Sequence, residues 1–200
     1  MHRTAIAKER RPTTARLLAA AADVFAKRGL SATTREIAEA AHVNEATLFR
    51  QFETKEHLIA AVTAEIVKAQ AKALDSLDLD EYDLRKDMTR LAEAYEGAMA
   101  KHAAFIRTMM SQPADPELTE RIVRDVVEPV RAKFIAYLTE GQRRGKIRGV
   151  NAGAAMDAFT GMLFAHVLRC AVYRPGYSRE TYLQNCVGIF LEGIERRGHH

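Results

Sequence analysis

The 200-residue sequence has no tryptophan, two cysteines and five prolines. Two cysteines cannot build a disulfide framework, which excludes the class of small disulfide-stapled secreted domains and indicates a reducing, cytoplasmic location. No stretch approaches the ~20 uninterrupted apolar residues that a membrane-spanning helix needs, so we expect no membrane partner. Runs of β-branched residues are scarce, and the five prolines and 11 glycines rarely interrupt the chain. Together these scarcities favour an all-α fold.

The composition and charge indicate a globular protein with a basic N-terminal arm. Hydrophobic residues make up 48% of the chain and charged residues 28%, enough to bury a substantial core. The net charge of +4 lies wholly in residues 1–16, which hold five basic residues and one acidic residue. A basic arm before a helical domain is typical of proteins that bind a polyanion, most often nucleic acid. A merely solubilising terminus would have the same composition.

Four helices are predicted in the first 74 residues. Apolar residues recur at helical spacing in the first of them. Thr33 and Glu36 then have the spacing of a capping box, and Asn44 and Thr54 are good N-caps for the next two helices. Two short helices joined by a tight turn at His42-Val43 have the layout of a helix-turn-helix. The predicted spans are residues 15–27, 34–41, 45–52 and 55–74.

Five further helices are predicted in the remainder of the chain. Pro129 predicts a kink in the longest of them, since proline cannot continue the helical hydrogen-bond ladder. The predicted spans are residues 84–100, 103–110, 117–144, 152–173 and 179–197. We therefore expect about nine helices, arranged as a basic arm over 1–16, a three-helix DNA-binding domain over 17–58 and a helical bundle over 59–200.

The third short helix has the pattern of a recognition helix. At 100° per residue, Leu48 and Phe52 share its inner face, while Ala46 and Arg50 lie on the opposite face. An apolar stripe docks such a helix on its scaffold, and the outer face enters the major groove. Arg50 is long enough for a bidentate contact to guanine, and Ala46 allows close approach. An ordinary amphipathic helix with a solvated arginine is the alternative.

Residues 25–58 closely resemble the DNA-binding signature of the TetR family of bacterial transcriptional regulators. The matching positions are Phe25, Gly29, Thr33-Thr34, Ile37-Ala38, Ala41, Val43, Thr47-Leu48, Phe49, Phe52, Lys55-Glu56 and Leu58. The resemblance implies a homodimer that binds double-stranded DNA at a partly palindromic operator, usually as a repressor, and whose C-terminal part senses a small-molecule effector. It implies phosphate contacts for Thr33, Thr34, Thr47, Phe49 and Lys55, and base contacts for Arg35, Ala46 and Arg50.

Three positions depart from the family pattern. His42 stands where the family usually turns on glycine, so the turn is strained if this residue has a positive φ. Phe49 replaces the usual tyrosine and loses its hydroxyl. Glu45, which follows the candidate contact Asn44, is acidic at the mouth of the groove and either repels phosphates or accepts a hydrogen bond from a cytosine amine. These departures affect operator affinity and sequence rather than the class of function.

Aromatic and thioether side chains in the C-terminal part are candidates for an effector pocket. The resemblance implies a cavity for a hydrophobic effector there, and methionines suit an adaptable lining. Packing in an ordinary core is the alternative for each residue. The candidates are Tyr95, Met99, Phe105, Met109, Phe134, Tyr137, Phe159 and Met162, with His102 and His166 as polar members.

Two regular stripes near the C-terminus are candidates for the dimer interface. The penultimate helix has a stripe of small residues, and the last helix has an apolar stripe. Together they suit a four-helix bundle made by two helices from each subunit, as the resemblance implies. Packing inside the subunit is the alternative. The two stripes are Ala154, Ala158, Gly161 and Ala165, and Leu183, Val187, Phe190 and Ile194.

Enzymatic motifs are missing from the sequence. A helical di-iron oxidase needs paired Glu-x-x-His motifs, and the chain has one, Glu39-x-x-His42, at the predicted helix-turn-helix turn. There is no Gly-x-Ser-x-Gly, phosphate-binding glycine loop, His-Glu-x-x-His or Cys-x-x-Cys. We expect no enzyme, cofactor or metal. A ligand-independent DNA-binding protein or protein-interaction adaptor on the same fold is the second candidate.

Overall fold

The computed structural model describes residues 13–79, 81–111 and 115–195, and these form an all-α protein. The basic arm predicted from the sequence lies almost wholly outside the described residues. Five π-helical residues, Val123–Val127, join α7 to α8, so the described residues form nine helical rods, as predicted. The helices are α1 Thr13–Arg28, α2 Thr34–Ala40, α3 Glu45–Phe52, α4 Lys55–Asp75, α5 Leu84–Lys101, α6 Ala103–Ser111, α7 Pro116–Ile122, α8 Glu128–Arg143, α9 Ala152–Cys170 and α10 Arg179–Ile194.

Side-chain caps define where the short N-terminal helices begin. Thr33 Oγ1 accepts from the Glu36 backbone N–H, and the Glu36 carboxylate accepts from the Thr33 N–H at 2.8 Å. Asn44 Oδ1 accepts from the Ala46 N–H at 2.7 Å at the start of α3. Thr54 caps α4 in the same way. Helices of seven or eight residues are not stable alone, so the caps and tertiary packing set their ends.

The helix α4 contributes to both hydrophobic cores of the protein. The first core joins α1, α2, α3 and the N-terminal half of α4, and it includes Phe105 from α6. The second core joins the last turns of α4 to α5, α8, α9 and α10. Ile66 of α4 lies in the first core and Leu74 in the second, about two turns apart. The predicted boundary between 17–58 and 59–200 is therefore crossed by a single rigid helix.

The irregularity predicted at Pro129 precedes that residue. In the π-helical turn the Glu128 N–H donates to the Val123 carbonyl, five residues back. Pro129 has no N–H for the Asp125 carbonyl, and its ring crowds that carbonyl, so a widened turn relieves the clash. The kink expected at Pro129 is therefore a π turn over the residues before it.

A buried polar cluster ties α5 to α8. Tyr137 Oη donates to Asp87 Oδ2 at 2.6 Å, and Tyr82 Oη donates to the Tyr137 carbonyl at 2.8 Å. The two tyrosine rings stack with centroids 4.7 Å apart. Burial raises the pKa of the Asp87 carboxyl above its usual value and raises the pKa of Tyr82 to about 12. Gly141 lies against this cluster, where a β-carbon would overlap Tyr82 Oη.

Candidate nucleic-acid interface and ligand cavity

Helix α3 presents the face that the sequence predicted for a recognition helix. Leu48 is fully buried and Phe52 nearly so, both in the first hydrophobic core. Ala46 and Arg50 are exposed on the opposite side, and Phe49 is 43% exposed beside them. Among the described residues, Arg50 has no hydrogen-bond or ion-pair partner, so its guanidinium is free to reach a ligand.

The ten candidate DNA-binding residues lie together on α2, α3, their N-caps and the first turn of α4. They divide by exposure rather than by element. Thr33, Arg35, Asn44, Ala46, Phe49 and Arg50 are exposed, whereas Thr34, Glu45, Thr47 and Lys55 are half-buried. Contact of each residue with DNA stays a prediction.

Several of these side chains already hold partners within the protein. Thr34 Oγ1 donates a 2.6 Å hydrogen bond to Glu45 Oε1, joining α2 to α3. Arg35 Nε lies 3.0 Å from Glu39 Oε1 in an exposed ion pair. Sequence reasoning misses the Thr34–Glu45 bond because the two residues meet only across the turn. This hydrogen bond gives Glu45 a third role, which is to hold α2 and α3 together. The sequence suggested only that Glu45 repels phosphates or contacts a base.

The turn between α2 and α3 has the strain that glycine would avoid. His42 has φ of 54°, in the left-handed region, and its N–H donates to the Glu39 carbonyl at 3.0 Å. A left-handed conformation costs a residue with a β-carbon roughly 1–2 kcal/mol. The turn is kept because Ala38 and Ala41, which precede it, are buried in the core. His42 therefore has the positive φ that was the condition for a strained turn.

A cavity of about 500 Å³ lies between α4, α5, α6, α8 and α9. Its lining is mainly apolar. Six of the ten predicted pocket residues line it: Tyr95, Met99, Phe105, Met109, Phe134 and Phe159. One wall comes from α4, through Thr63, Ile66, Val67, Gln70 and Leu74. The sequence did not mark these α4 residues, since periodicity alone does not distinguish a cavity wall from a packed face.

The other four pocket candidates lie elsewhere. His102 borders a separate, more polar cavity beside α1 and α4. Tyr137 is buried against Asp87, and His166 is buried beside Glu96. Met162 packs half-buried against the second core. Tyr137 and His166 are thus buried beside carboxylates of the protein rather than placed along the main cavity.

The cavity has a cationic side chain at its edge. Arg131 Nη2 lies 3.1 Å from Asp157 Oδ2, and Arg131 Nη1 lies 3.9 Å from Glu128 Oε2. All three residues line the cavity. Both carboxylates are half exposed or more, so the guanidinium can exchange them for another anion without leaving a buried charge unpaired.

Two family models match the chain over most of its length. The model of bacterial regulatory proteins of the tetR family matches residues 17–62, and the tetracyclin repressor-like C-terminal domain matches residues 79–174. The chain belongs to the TetR family. It is therefore a helix-turn-helix transcriptional regulator that binds DNA.

Relatives of this TetR-family chain cover nearly all of it. YvkB of Bacillus subtilis strain 168, described as an uncharacterized HTH-type transcriptional regulator, is 28% identical over 188 residues, spanning 92% of this chain and 98% of YvkB. Bacillus subtilis FadR in complex with stearoyl-CoA superposes with a TM-score of 0.76 at 18% identity, covering 90% of this chain and 99% of FadR. FadR of Bacillus halodurans, a fatty acid degradation regulator, superposes with a TM-score of 0.76 at 20% identity, covering 95% of this chain and 100% of that FadR. These two structures establish the shared fold.

The two stripes predicted for the dimer interface of this TetR-family protein differ in exposure. Ala154, Ala158, Gly161 and Ala165 are all exposed along α9. Leu183, Val187, Phe190 and Ile194 are all buried in the second core. The apolar stripe of α10 therefore packs inside the subunit and offers no face to a partner. The outer face of α10 instead exposes Ile189, with Gly188 open beside it.

The described residues contain neither a metal-binding cluster nor a membrane-spanning helix. Within residues 13–79, 81–111 and 115–195, no three His, Cys, Asp or Glu side chains group so as to hold a metal ion. None of the helices in these ranges is both long and apolar enough to cross a membrane. His42 of the single Glu-x-x-His motif lies in the turn of the helix-turn-helix.

Proposed function

We propose that this TetR-family regulator represses transcription by binding a palindromic operator as a homodimer, and that a hydrophobic effector in the cavity releases it. The course of helix α4 carries this proposal. Helix α4 forms a wall of the cavity and also begins three residues after the end of α3, the recognition helix. A molecule that displaces the α4 wall displaces the part of the protein that enters DNA. No enzymatic activity is assigned to the chain.

The reading of DNA is assigned to the exposed face of α3. Arg50 is exposed and has no partner in the described part of the chain, so it can reach guanine without breaking an internal bond. The methyl of Ala46 lets the backbone approach the bases closely. The ring of Phe49 is 43% exposed and can cover a sugar or phosphate edge. Because Glu45 is bound by Thr34, its carboxylate is held away from the phosphates that it would otherwise repel.

The dimer is assigned to α9 and the outer face of α10. Alanine and glycine along the exposed stripe of α9 allow a partner helix to approach closely. Apart from its chain neighbours and the backbone of its own helix, a β-carbon at Gly161 or Gly188 would meet none of the described atoms of its subunit within 4 Å, so both faces are open. Two such helices from each subunit form a four-helix bundle with two-fold symmetry. That symmetry matches a palindromic operator.

The effector is assigned to a class by the chemistry of the cavity. The cavity has a volume of about 500 Å³ and a mainly apolar lining, which suits a long hydrocarbon chain. Arg131 at its edge suits an effector with an anionic or polar head group. The FadR structure with the same fold was determined with stearoyl-CoA. Fatty acyl thioesters are therefore the first molecules to test. An effector that binds the DNA-incompetent state better by about 1–3 kcal/mol would lower operator affinity about 5- to 150-fold.

The test is a binding titration with labelled duplexes from the intergenic DNA beside the protein's own gene. Fluorescence anisotropy should find an inverted repeat bound at least about 10³-fold more tightly than random duplex. Acyl-CoA should weaken that binding while sedimentation shows an intact dimer. Equal affinity for operator and random DNA would favour the ligand-independent adaptor. Release that occurs only by splitting the dimer would refute the α4 mechanism.

Two variants on α4 separate the cavity from the rest of the helix surface. Val67 lines the cavity, so Val67→Phe should place a ring in it and weaken the acyl-CoA response while operator binding persists. Ala69, two residues further along, is exposed and is not among the cavity-lining residues, so Ala69→Phe should keep the full response. Loss of the response in both variants, or in neither, would show that the effector does not act through this cavity.

A further inference from the structure

A thiol, an imidazole and a carboxylate lie in line where α5, α9 and α10 meet. Cys170 Sγ is 3.3 Å from His166 Nε2, and His166 Nδ1 is 3.4 Å from Glu96 Oε1. Cys170, the last residue of α9, is exposed, whereas His166 and Glu96 are 2% and 3% exposed. The other Glu96 oxygen accepts from Arg179 Nε. The cluster lines neither the effector cavity nor the α3 surface.

The imidazole is held in a fixed plane. Its ring stacks on Tyr182 with centroids 4.0 Å apart and an interplanar angle of 13°, and Tyr177 stacks further out at 6.3 Å. Tyr182 is fixed in turn by a 2.8 Å hydrogen bond to the Met162 carbonyl. The ring therefore keeps Nε2 directed at the sulfur and Nδ1 directed at the carboxylate.

The positions of the protons follow from this geometry. Within the described part of the chain, His166 Nδ1 is buried, makes no hydrogen bond and faces the Glu96 carboxylate oxygen, so it is the ring nitrogen that carries a proton. Nε2 is then the acceptor for the Cys170 thiol proton. After transfer, the imidazolium lies between the thiolate and Glu96, two anionic groups that stabilise it. A nucleophile, a base and a group that orients the base is the arrangement that activates protein thiols.

We propose that Cys170 is a reactive thiol that hydroperoxides oxidise to a sulfenic acid, with His166 as the base and Glu96 as its positioning residue. His166 takes the thiol proton, and the thiolate sulfur attacks one peroxide oxygen. The O–O bond breaks, and the departing oxygen takes the proton from Nε2 and leaves as water or an alcohol. Sulfur is oxidised by two electrons and the peroxide is reduced by two. The sulfenic acid is reversible, because thiols condense with it to a disulfide and can then reduce that disulfide.

The second cysteine is a built-in contrast. Cys186 is 3% exposed on α10, and burial raises the pKa of its thiol. On α9, Cys170 lies 16 positions after Ala154, which places it roughly 160° around the helix from the small-residue stripe. The dimer proposed above therefore leaves the thiol accessible. Cys170 is exposed and lies beside His166, as its reaction with a peroxide requires, whereas Cys186 is buried.

The test compares single-cysteine proteins as intact dimers. Cys186→Ser keeps Cys170, and Cys170→Ser keeps Cys186. With hydrogen peroxide and dimedone trapping, mass spectrometry should find the adduct in the Cys186→Ser protein at pH 7. Its rate should exceed that of glutathione about 10- to 30-fold, because an ordinary thiol is only a few per cent thiolate at that pH. A rate within about twofold of glutathione, or equal labelling of the two proteins, would overturn the proposal.

Two further measurements separate activation by His166 from simple exposure. In the Cys186→Ser background, His166→Phe keeps a ring against Tyr182 but removes the base, and the rate should fall at least tenfold. Should that variant unfold, the iodoacetamide rate against pH in the Cys186→Ser protein alone decides. A thiolate–imidazolium pair gives an inflection well below the ~8.5 of a free thiol. The charged and titratable groups that the described residues place around this pair include Glu96, Arg179, Tyr177, Tyr182 and Arg169, whose Nη1 lies 3.5 Å from Tyr177 Oη. An inflection at the free-thiol value contradicts the assignment.

Discussion

Gly141→Ala is expected to destabilise the protein, although alanine is the better helix former. Gly141 lies inside α8, where the exchange alone would stabilise the helix by roughly 0.5–1 kcal/mol. The new β-carbon would overlap Tyr82 Oη and stand 2.7 Å from Ile147 Cδ1. Both neighbours are buried, at 3% exposure each, so neither can swing into solvent.

The magnitude follows from what Tyr82 must give up. Moving its ring breaks the buried hydrogen bond from Tyr82 Oη to the Tyr137 carbonyl and disturbs the 4.7 Å ring stack. A lost buried hydrogen bond costs about 1–3 kcal/mol and overpacking costs about 1–3 kcal/mol. After the gain in helix propensity is subtracted, we expect a net loss of about 1–5 kcal/mol in the free energy of unfolding.

The assay is urea unfolding followed by far-ultraviolet circular dichroism at one fixed protein concentration, because the dimer proposed above would couple stability to concentration. Gly97→Ala is the matched control: its β-carbon would lie 3.6 Å from Arg179 Nη2, an ordinary contact, so it should be stabilising. In a Tyr82→Phe background, Gly141→Ala should cost less, because the atom nearest the new methyl is gone. Equal effects of Gly141→Ala and Gly97→Ala would refute the packing argument.

Three other outcomes are expected. Arg50→Ala should weaken operator binding by about 1–3 kcal/mol and relax preference at one base position per half-site, and an equal loss on random duplex would make Arg50 a phosphate contact. His42→Gly should raise the free energy of unfolding by roughly 1 kcal/mol, because φ of 54° suits glycine, while His42→Ala should not. Asp87 has a pKa raised above 3.8 in the folded state, so its contribution to stability is fully present below that value and is lost as pH rises through the raised pKa. Asp87→Asn should flatten this acid-side slope in denaturation curves, and an unchanged slope would mean that another group titrates there.

Local signals in the sequence predicted the N-terminal half well. The capping box at Thr33 and the cap at Asn44 involve residues two or three positions apart, so their geometry follows from the local chain. The face of α3 follows from helical periodicity. The Thr34–Glu45 bond and the orientation of Arg131 depend on how helices pack, which one sequence does not specify.

The C-terminal stripes show where periodicity stops being informative. Leu183 and Ala158 lie on equally regular stripes, yet Leu183 is buried in its own subunit and Ala158 is exposed. A periodic stripe indicates that a helix face is covered, but it does not indicate whether the same subunit or a partner covers it. The same limit explains why the sequence predicts Tyr137 and His166 in the pocket: polar aromatic residues inside a bundle line a cavity or satisfy a buried carboxylate, and only the packing distinguishes the two.

The passage of α4 through both hydrophobic cores makes the DNA-binding end of the regulator sensitive to heat. Ile66 and Leu74 fix the same rigid rod in two places, so neither core can loosen while the other holds α4 in register. With the repression proposed above, a substitution in the second core at a residue that does not line the cavity, such as Leu138 or Leu163, would thus raise expression of the controlled genes as temperature approaches the unfolding midpoint. A genetic screen would then recover temperature-sensitive regulators whose substitutions cluster along α5, α8 and α9 rather than in the helix-turn-helix.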